Sequence, residues 1–175
     1  MRHGIRSIVL AVAALALTGS SAFAQATIHG DLLKDWAAQK DMLVKIANAM
    51  PEDKFGFKPT PAQRNFGEQV LHIAQVNMML LNTLGGKAAA PAVNLKATSK
   101  ADIVKAMSDS FDHGTALLKE FDNTTIQGTV QAMFMGASTR ARIVFFLISH
   151  TQDIYGQMAV YLRLNGVIPP ASQRP

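Results

Sequence analysis

The sequence predicts an all-α fold in which four helices form a bundle. Four segments carry apolar residues at helical spacing or a recognisable helix cap, and stretches rich in proline, glycine and other small residues separate them. We find no segment with the alternating apolar and polar pattern of a half-buried strand. Residues 124–136 have no clear helical period, so we expect an irregular or partly extended connection there.

The first two predicted helices follow from amphipathic spacing and from their stop signals. The first runs from Asp31 to about Met50, where Pro51 ends it. A loop rich in helix breakers, residues 51–61, comes next. The second helix runs from Phe66 to about Leu84, and the glycines at 85 and 86 close it because glycine readily adopts the left-handed conformation that ends helices.

The third and fourth predicted helices are marked by their N-caps. Ser99 opens the third, with the acidic Asp102 three residues later, and this helix should end near residues 121–123. Either Ser138 or Thr139 opens the fourth, which should continue through Arg163. Asparagine and glycine at 165 and 166, followed by two prolines, prevent its continuation.

The N-terminal segment has the pattern of a secretory signal peptide. Arg2 and Arg6 precede an apolar run from Ile8 to Leu17, and Ala22-Phe23-Ala24 resembles a cleavage site. The apolar run is shorter than the roughly 20 residues that a membrane span needs. We therefore expect a signal peptide over residues 1–24 and one helical domain over residues 25–175, exported to the periplasm and without a stable membrane span after cleavage.

Charge and cysteine content narrow the classes of function. The first 24 residues hold two of the 17 Lys and Arg residues and none of the 12 Asp and Glu residues, so the remainder carries a net charge of about +3. This small positive net charge, together with the absence of a run of Lys and Arg residues, gives no support for nucleic-acid binding. The absence of cysteine excludes disulfides, thiolate metal sites and thiol nucleophiles. A small-molecule partner and a homodimer are both left open.

The last predicted helix contains the most informative stretch of the chain. Residues 149–166 read SHTQDIYGQMAVYLRLNG. Together with residues 50–61, Asn65-Phe66-Gly67-Glu68 and His72-Ile73-Ala74, this stretch resembles the DinB (YfiT-like) superfamily, whose last helix usually carries His-x-x-x-His before a Tyr-Leu-Arg run. The matching blocks span most of the chain after residue 24. The resemblance implies a DinB/YfiT-like four-helix bundle with a metal site at one end.

In that superfamily, one histidine of the second helix and two of the last helix bind a divalent metal ion. The resemblance assigns His72 and His150 to two of these positions, and Ile154 stands where the third histidine is expected. Side chains four residues apart share a helix face, and three imidazoles leave coordination positions open for water or substrate. Because isoleucine has no donor atom, the usual three-histidine site is incomplete in this chain.

One interpretation is a site without tightly bound metal. His72 and His150 then form a buried polar pair, Ile154 fills the volume of the missing ligand, and the cleft binds a small apolar molecule or a protein partner. The amides nearest in sequence that offer hydrogen bonds to the imidazoles are Gln69, Gln75, Asn77 and Gln157.

The alternative is an enzyme. Asp153, or a water molecule, would complete a weak site for Zn²⁺ or Ni²⁺ with His72 and His150. The resemblance then implies a divalent-metal-dependent transferase or isomerase that acts with low-molecular-weight thiols. The sequence does not decide between the two interpretations or identify a substrate. The other two histidines after residue 24, His29 and His113, are expected to be solvated rather than functional.

Overall fold

The computed structural model describes residues 26–173, and they form four α-helices with a short two-stranded sheet. The predicted signal peptide lies outside these residues. In chain order the elements are α1 (Ile28–Ala49), α2 (Phe66–Leu81), α3 (Lys100–Leu118), β1 (Thr129–Ala132), β2 (Gly136–Thr139) and α4 (Arg140–Leu164). α1 packs against α3 and α4, and α2 packs against the same two helices, so one core lies between the four.

Helix caps account for where the helices begin. Asn65 forms a capping box with Glu68 at the start of α2, and Ser99 caps α3 through the Asp102 amide, as predicted. Thr139 is the N-cap of α4 and accepts a hydrogen bond from the Arg142 amide. α1 begins three residues before the predicted Asp31, because the Thr27 hydroxyl accepts from the Gly30 amide.

The four predicted helices are present, and the structure adds a short two-stranded sheet to the predicted all-α bundle. Within the stretch predicted to be irregular or partly extended, β1 and β2 pair as an antiparallel hairpin, with Thr129 opposite Thr139 and Ala132 opposite Gly136. A short 3₁₀ turn, Met133–Met135, joins the two strands, and Gly136 has a φ of +64°. Each strand has only four residues, too few to show a period of two in the sequence.

Large aromatic side chains from all four helices fill the core. Trp36 of α1, Phe66 of α2, Phe111 of α3 and Tyr161 of α4 are fully buried. The Trp36 Nε1 donates to the Phe111 carbonyl oxygen across 2.9 Å, which satisfies the one polar atom of the indole. In the part of the chain described here, no helix is both long enough and apolar enough to cross a membrane.

Candidate functional site

Two histidines that are far apart in the sequence meet between α2 and α4. The ring centroids of His72 and His150 lie 5.0 Å apart, and the ring planes are nearly perpendicular, at 88°. Both side chains are half-buried. The structure therefore brings together the two histidines that the resemblance assigned to one site.

Side-chain contacts on either side of the histidines fix the alignment of these two helices. The Tyr161 hydroxyl donates to the carbonyl oxygen of Arg64, immediately before α2, across 2.8 Å. Gln69 Nε2 donates to Gln157 Oε1 across 2.6 Å. Later residues of α2 therefore contact earlier residues of α4. The two helices run antiparallel, and His72 lies opposite His150.

Burial favours the neutral form of both imidazoles. It is the largest cause of the lowered pKa of His72, and the electrostatic interactions with Arg64 and with His150 lower that pKa further, while the Gln75 side chain opposes the shift. Burial also lowers the pKa of His150; Asp153 opposes this effect and Arg64 adds to it. A neutral imidazole keeps one nitrogen free to accept a hydrogen bond or bind a metal ion.

The expected amide partners of the histidines are mostly engaged elsewhere. Gln69 donates to Gln157, which itself donates to Asp153 Oδ2 across 3.0 Å, and Asn77 donates to Ser110 of α3. Gln75 is the one candidate that acts on His72. The Nε2 atom of His150 is buried, and no group within residues 26–173 forms a hydrogen bond with it.

The donor set does not fit a three-imidazole metal centre. Ile154, at the position of the expected third histidine, is only 2% exposed and packs in the core. Asp153 is exposed, and Gln157 holds its carboxylate. Among the described residues, no three His, Cys, Asp or Glu side chains are grouped so as to hold a metal ion. Two imidazoles alone fit at most weak binding of a divalent ion, and the role of Asp153 as a ligand stays a prediction.

Two phenylalanine rings form an aromatic cluster beside His150. The Phe146 ring stacks on His150 with an interplanar angle of 18° and a centroid distance of 6.5 Å. Phe134, in the turn of the β hairpin, contacts the Phe146 ring edge-on at 5.6 Å. Phe146 lies four residues before His150, a spacing that signals a shared helix face, but Phe134 reaches the site only through the hairpin that was not predicted.

The other two histidines after residue 24 are not free in solvent, contrary to expectation. The His29 ring lies 2.8 Å from the Leu118 carbonyl oxygen through Nε2. His113 is 5% exposed, and its Nδ1 is buried without a hydrogen-bond partner in residues 26–173. His29 thus joins α1 to α3, and neither histidine contacts the pair between α2 and α4 through a hydrogen bond or ring contact in residues 26–173.

Comparisons with known proteins agree with the resemblance. The family model described as the DinB superfamily matches residues 35–158. Among solved structures, a DinB-like protein from Bacillus cereus ATCC 10987 has a TM-score of 0.69 at 20% identity, covering 82% of this chain and 96% of that one. A DinB-like protein from Bacillus subtilis, YjoA, has a TM-score of 0.64 at 18% identity, covering 82% and 99%.

These two solved structures show the fold alone, because their identities to this chain are low. No curated protein matches the chain. The family model, in contrast, spans α2, α3, the hairpin and most of α1 and α4, including both histidines. The chain therefore belongs to the DinB superfamily.

Proposed function

We propose that this protein is an exported four-helix bundle of the DinB superfamily that binds a small molecule at the histidine pair of α2 and α4, without the superfamily's three-histidine metal centre. One observation carries the proposal. The buried Nε2 of His150 lacks a hydrogen-bond partner in the described chain and lies beside His72, while the apolar Ile154 occupies the third ligand position.

Leaving such a nitrogen unpaired costs about 1–3 kcal/mol, so a ligand that supplies a hydrogen bond recovers free energy on binding. Gln157 is tied to Gln69 and Asp153, so it is not available to serve His150 instead. The Phe146 ring stacks on His150, and the exposed Phe134 contacts Phe146, so the two rings add apolar surface on this side of the histidines. Apolar walls with a few convergent polar groups are typical of small-molecule sites.

The proposal is tested by a fragment screen of the mature protein that follows histidine ring and backbone amide signals by NMR. We expect bound fragments to shift the rings of His72 and His150 together, with binding lost in His150→Phe. His29→Phe is the control, since His29 lies between α1 and α3. Fragments that bind only elsewhere, or that bind His150→Phe equally well, would overturn the proposal.

The competing function is a divalent-metal-dependent enzyme, and the closeness of two imidazoles with lowered pKa favours it. In that case Asp153 or water would complete a Zn²⁺ or Ni²⁺ site. Isothermal titration of the wild type with zinc separates the two functions: weak binding, unchanged by Asp153→Ala, supports the small-molecule site. Tight binding that Asp153→Ala abolishes would establish the metal site instead.

Export is supported by the basic, apolar and small-residue pattern of residues 1–24. Mass spectrometry of the protein expressed from its full sequence in a bacterium tests it. We expect a periplasmic product that begins at Gln25. An intact chain that begins at Met1 in the cytoplasm would refute this part of the proposal.

A further inference from the structure

A groove of about 470 Å³ lies beside α2, between the loop that precedes the helix and the linker that follows it. Its lining residues are Lys58, Pro61, Ala62, Gln63, Arg64, Glu68, Leu71, Gln75 and Leu95. Polar side chains dominate, and Leu71 and Leu95 provide an apolar patch within it. The volume is in the range of sites that take small organic ligands.

The charged side chains in the groove differ in whether they already form hydrogen bonds or ion pairs. Glu68, its one carboxylate, accepts a hydrogen bond from the Asn65 amide across 2.6 Å and lies 3.7 Å from Lys58 Nζ. The Arg64 guanidinium forms no hydrogen bond or ion pair within residues 26–173; only its carbonyl oxygen is engaged, by Tyr161. In the described chain, the planar set of N–H donors of the Arg64 guanidinium is thus unpaired at the groove, whereas the Glu68 carboxylate is already engaged.

Two of the lining residues connect the groove to the histidine pair. Gln75 interacts with His72, and Arg64 is close enough to exert its charge on both His72 and His150. Within residues 26–173, neither histidine accepts a hydrogen bond from the Arg64 guanidinium. An anion placed at Arg64 would therefore lie near the histidine pair of α2 and α4.

We infer that this groove binds the carboxylate of a small organic acid, with Arg64 as its principal contact. This inference rests on the proposed function, because it takes the small molecule of that function to be an organic acid and places its carboxylate at Arg64. A monoanion suits the groove better than a phosphate, because Glu68 offsets one of the two cations, Lys58 and Arg64, and leaves one net positive charge among the lining residues. Leu71 and Leu95 favour a ligand with a short apolar chain next to the carboxylate.

Octanoate is the probe, and octanamide is its uncharged match. We expect isothermal titration to show octanoate binding to the mature protein and at least about tenfold weaker binding of octanamide, because a hydrogen-bonded charge pair is lost. Arg64→Gln should weaken octanoate binding by a similar factor, and Arg64→Lys by less. Arg163→Gln, an exposed arginine at the end of α4, should leave it unchanged.

Octanoate binding that is insensitive to Arg64→Gln would overturn the inference, as would equal binding of octanamide. Inorganic phosphate that competes as strongly as octanoate would overturn the choice of a carboxylate. Failure here is distinguishable from failure of the proposed function. Fragments that shift His72 and His150 but show no preference for a carboxylate would leave that function standing and refute this inference alone.

Discussion

The rings of His72 and His150 meet nearly at right angles, 5.0 Å apart, although one belongs to α2 and the other to α4. This contact exists without a third imidazole, because the core residue Ile154 and the bonds between the two helices hold the histidines in place. The geometry of the site is thus a property of the packed helices, and the variants below test that packing as well as the chemistry.

Tyr161→Phe removes the hydroxyl that ties α4 to the Arg64 carbonyl oxygen. We expect the free energy of unfolding to fall by about 0.5–1.5 kcal/mol, the usual net value of one such hydrogen bond. Urea denaturation measures this change. Tyr155→Phe, on the same helix, is the control and should have a smaller effect, because the Tyr155 ring is only half-buried and its hydroxyl makes no hydrogen bond in residues 26–173.

Gly114→Ala tests the packing of α1 against α3. A methyl group at this position would overlap the Trp36 indole, a fully buried ring whose Nε1 donates a hydrogen bond to the Phe111 carbonyl oxygen. Overpacking of this kind costs about 1–3 kcal/mol, more than the gain in helix propensity. Gly156→Ala in α4 is the matched control: nothing lies within 4 Å of the new methyl, so it should stabilise by about 0.5–1 kcal/mol.

These two alanine variants should therefore shift the thermal midpoint in opposite directions. A Gly114→Ala protein as stable as the wild type would show that the indole is not held as described. A loss of stability in Gly156→Ala would contradict the open environment of that position.

Acid should destabilise the protein in part through His113. Burial lowers its pKa below the ordinary value of 6.5, and Glu120 opposes the shift only partly. As the pH falls through the unfolded pKa, the unfolded chain takes up a proton before the folded one, so unfolding becomes more favourable; the stability is fully present above that pH.

His113→Gln should accordingly show a shallower loss of stability between about pH 8 and about pH 5 than the wild type, measured by urea denaturation at each pH. The free energy of unfolding of His113→Gln should still decrease somewhat as the pH falls, because His72 and His150 also have a lowered pKa. Parallel curves for the two proteins would mean that His113 does not titrate differently in the folded state.

The helices were predictable because their caps and breakers are local signals. Ser99, Thr139 and the proline at 51 act within one helical turn, and the predicted boundaries agree with the structure to within about three residues at those ends. The hairpin was not predictable as paired strands, since Val130 and its neighbours pair with residues across a turn and form too short a pattern.

For the site, the sequence identified His72, His150 and Ile154, but not what surrounds them. In the sequence, Arg64 directly precedes an N-cap and resembles any exposed arginine. Only the structure places it in the lining of the groove. His113 lies in a predominantly polar part of α3, which favours a solvated side chain, yet it is buried. The surroundings of Arg64 and His113 depend on tertiary contacts, which the spacing of residues within one helix does not reveal.

The central claim is that His72 and His150 retain the geometry of a metal site in which only the third ligand is missing. Ile154→His supplies that ligand one helical turn from His150. In isothermal titration we expect zinc to bind this variant roughly 100-fold or more tightly than the wild type, since an added imidazole contributes several kcal/mol in a preorganised site.

The control is the double variant His72→Ala with Ile154→His, which should lose the gain because only α4 then supplies imidazoles. Thermal unfolding without zinc establishes that each variant is folded, and zinc should raise the midpoint of Ile154→His alone. A folded Ile154→His protein that binds zinc no better than the wild type would contradict the account, because the two histidines would then not face a common site.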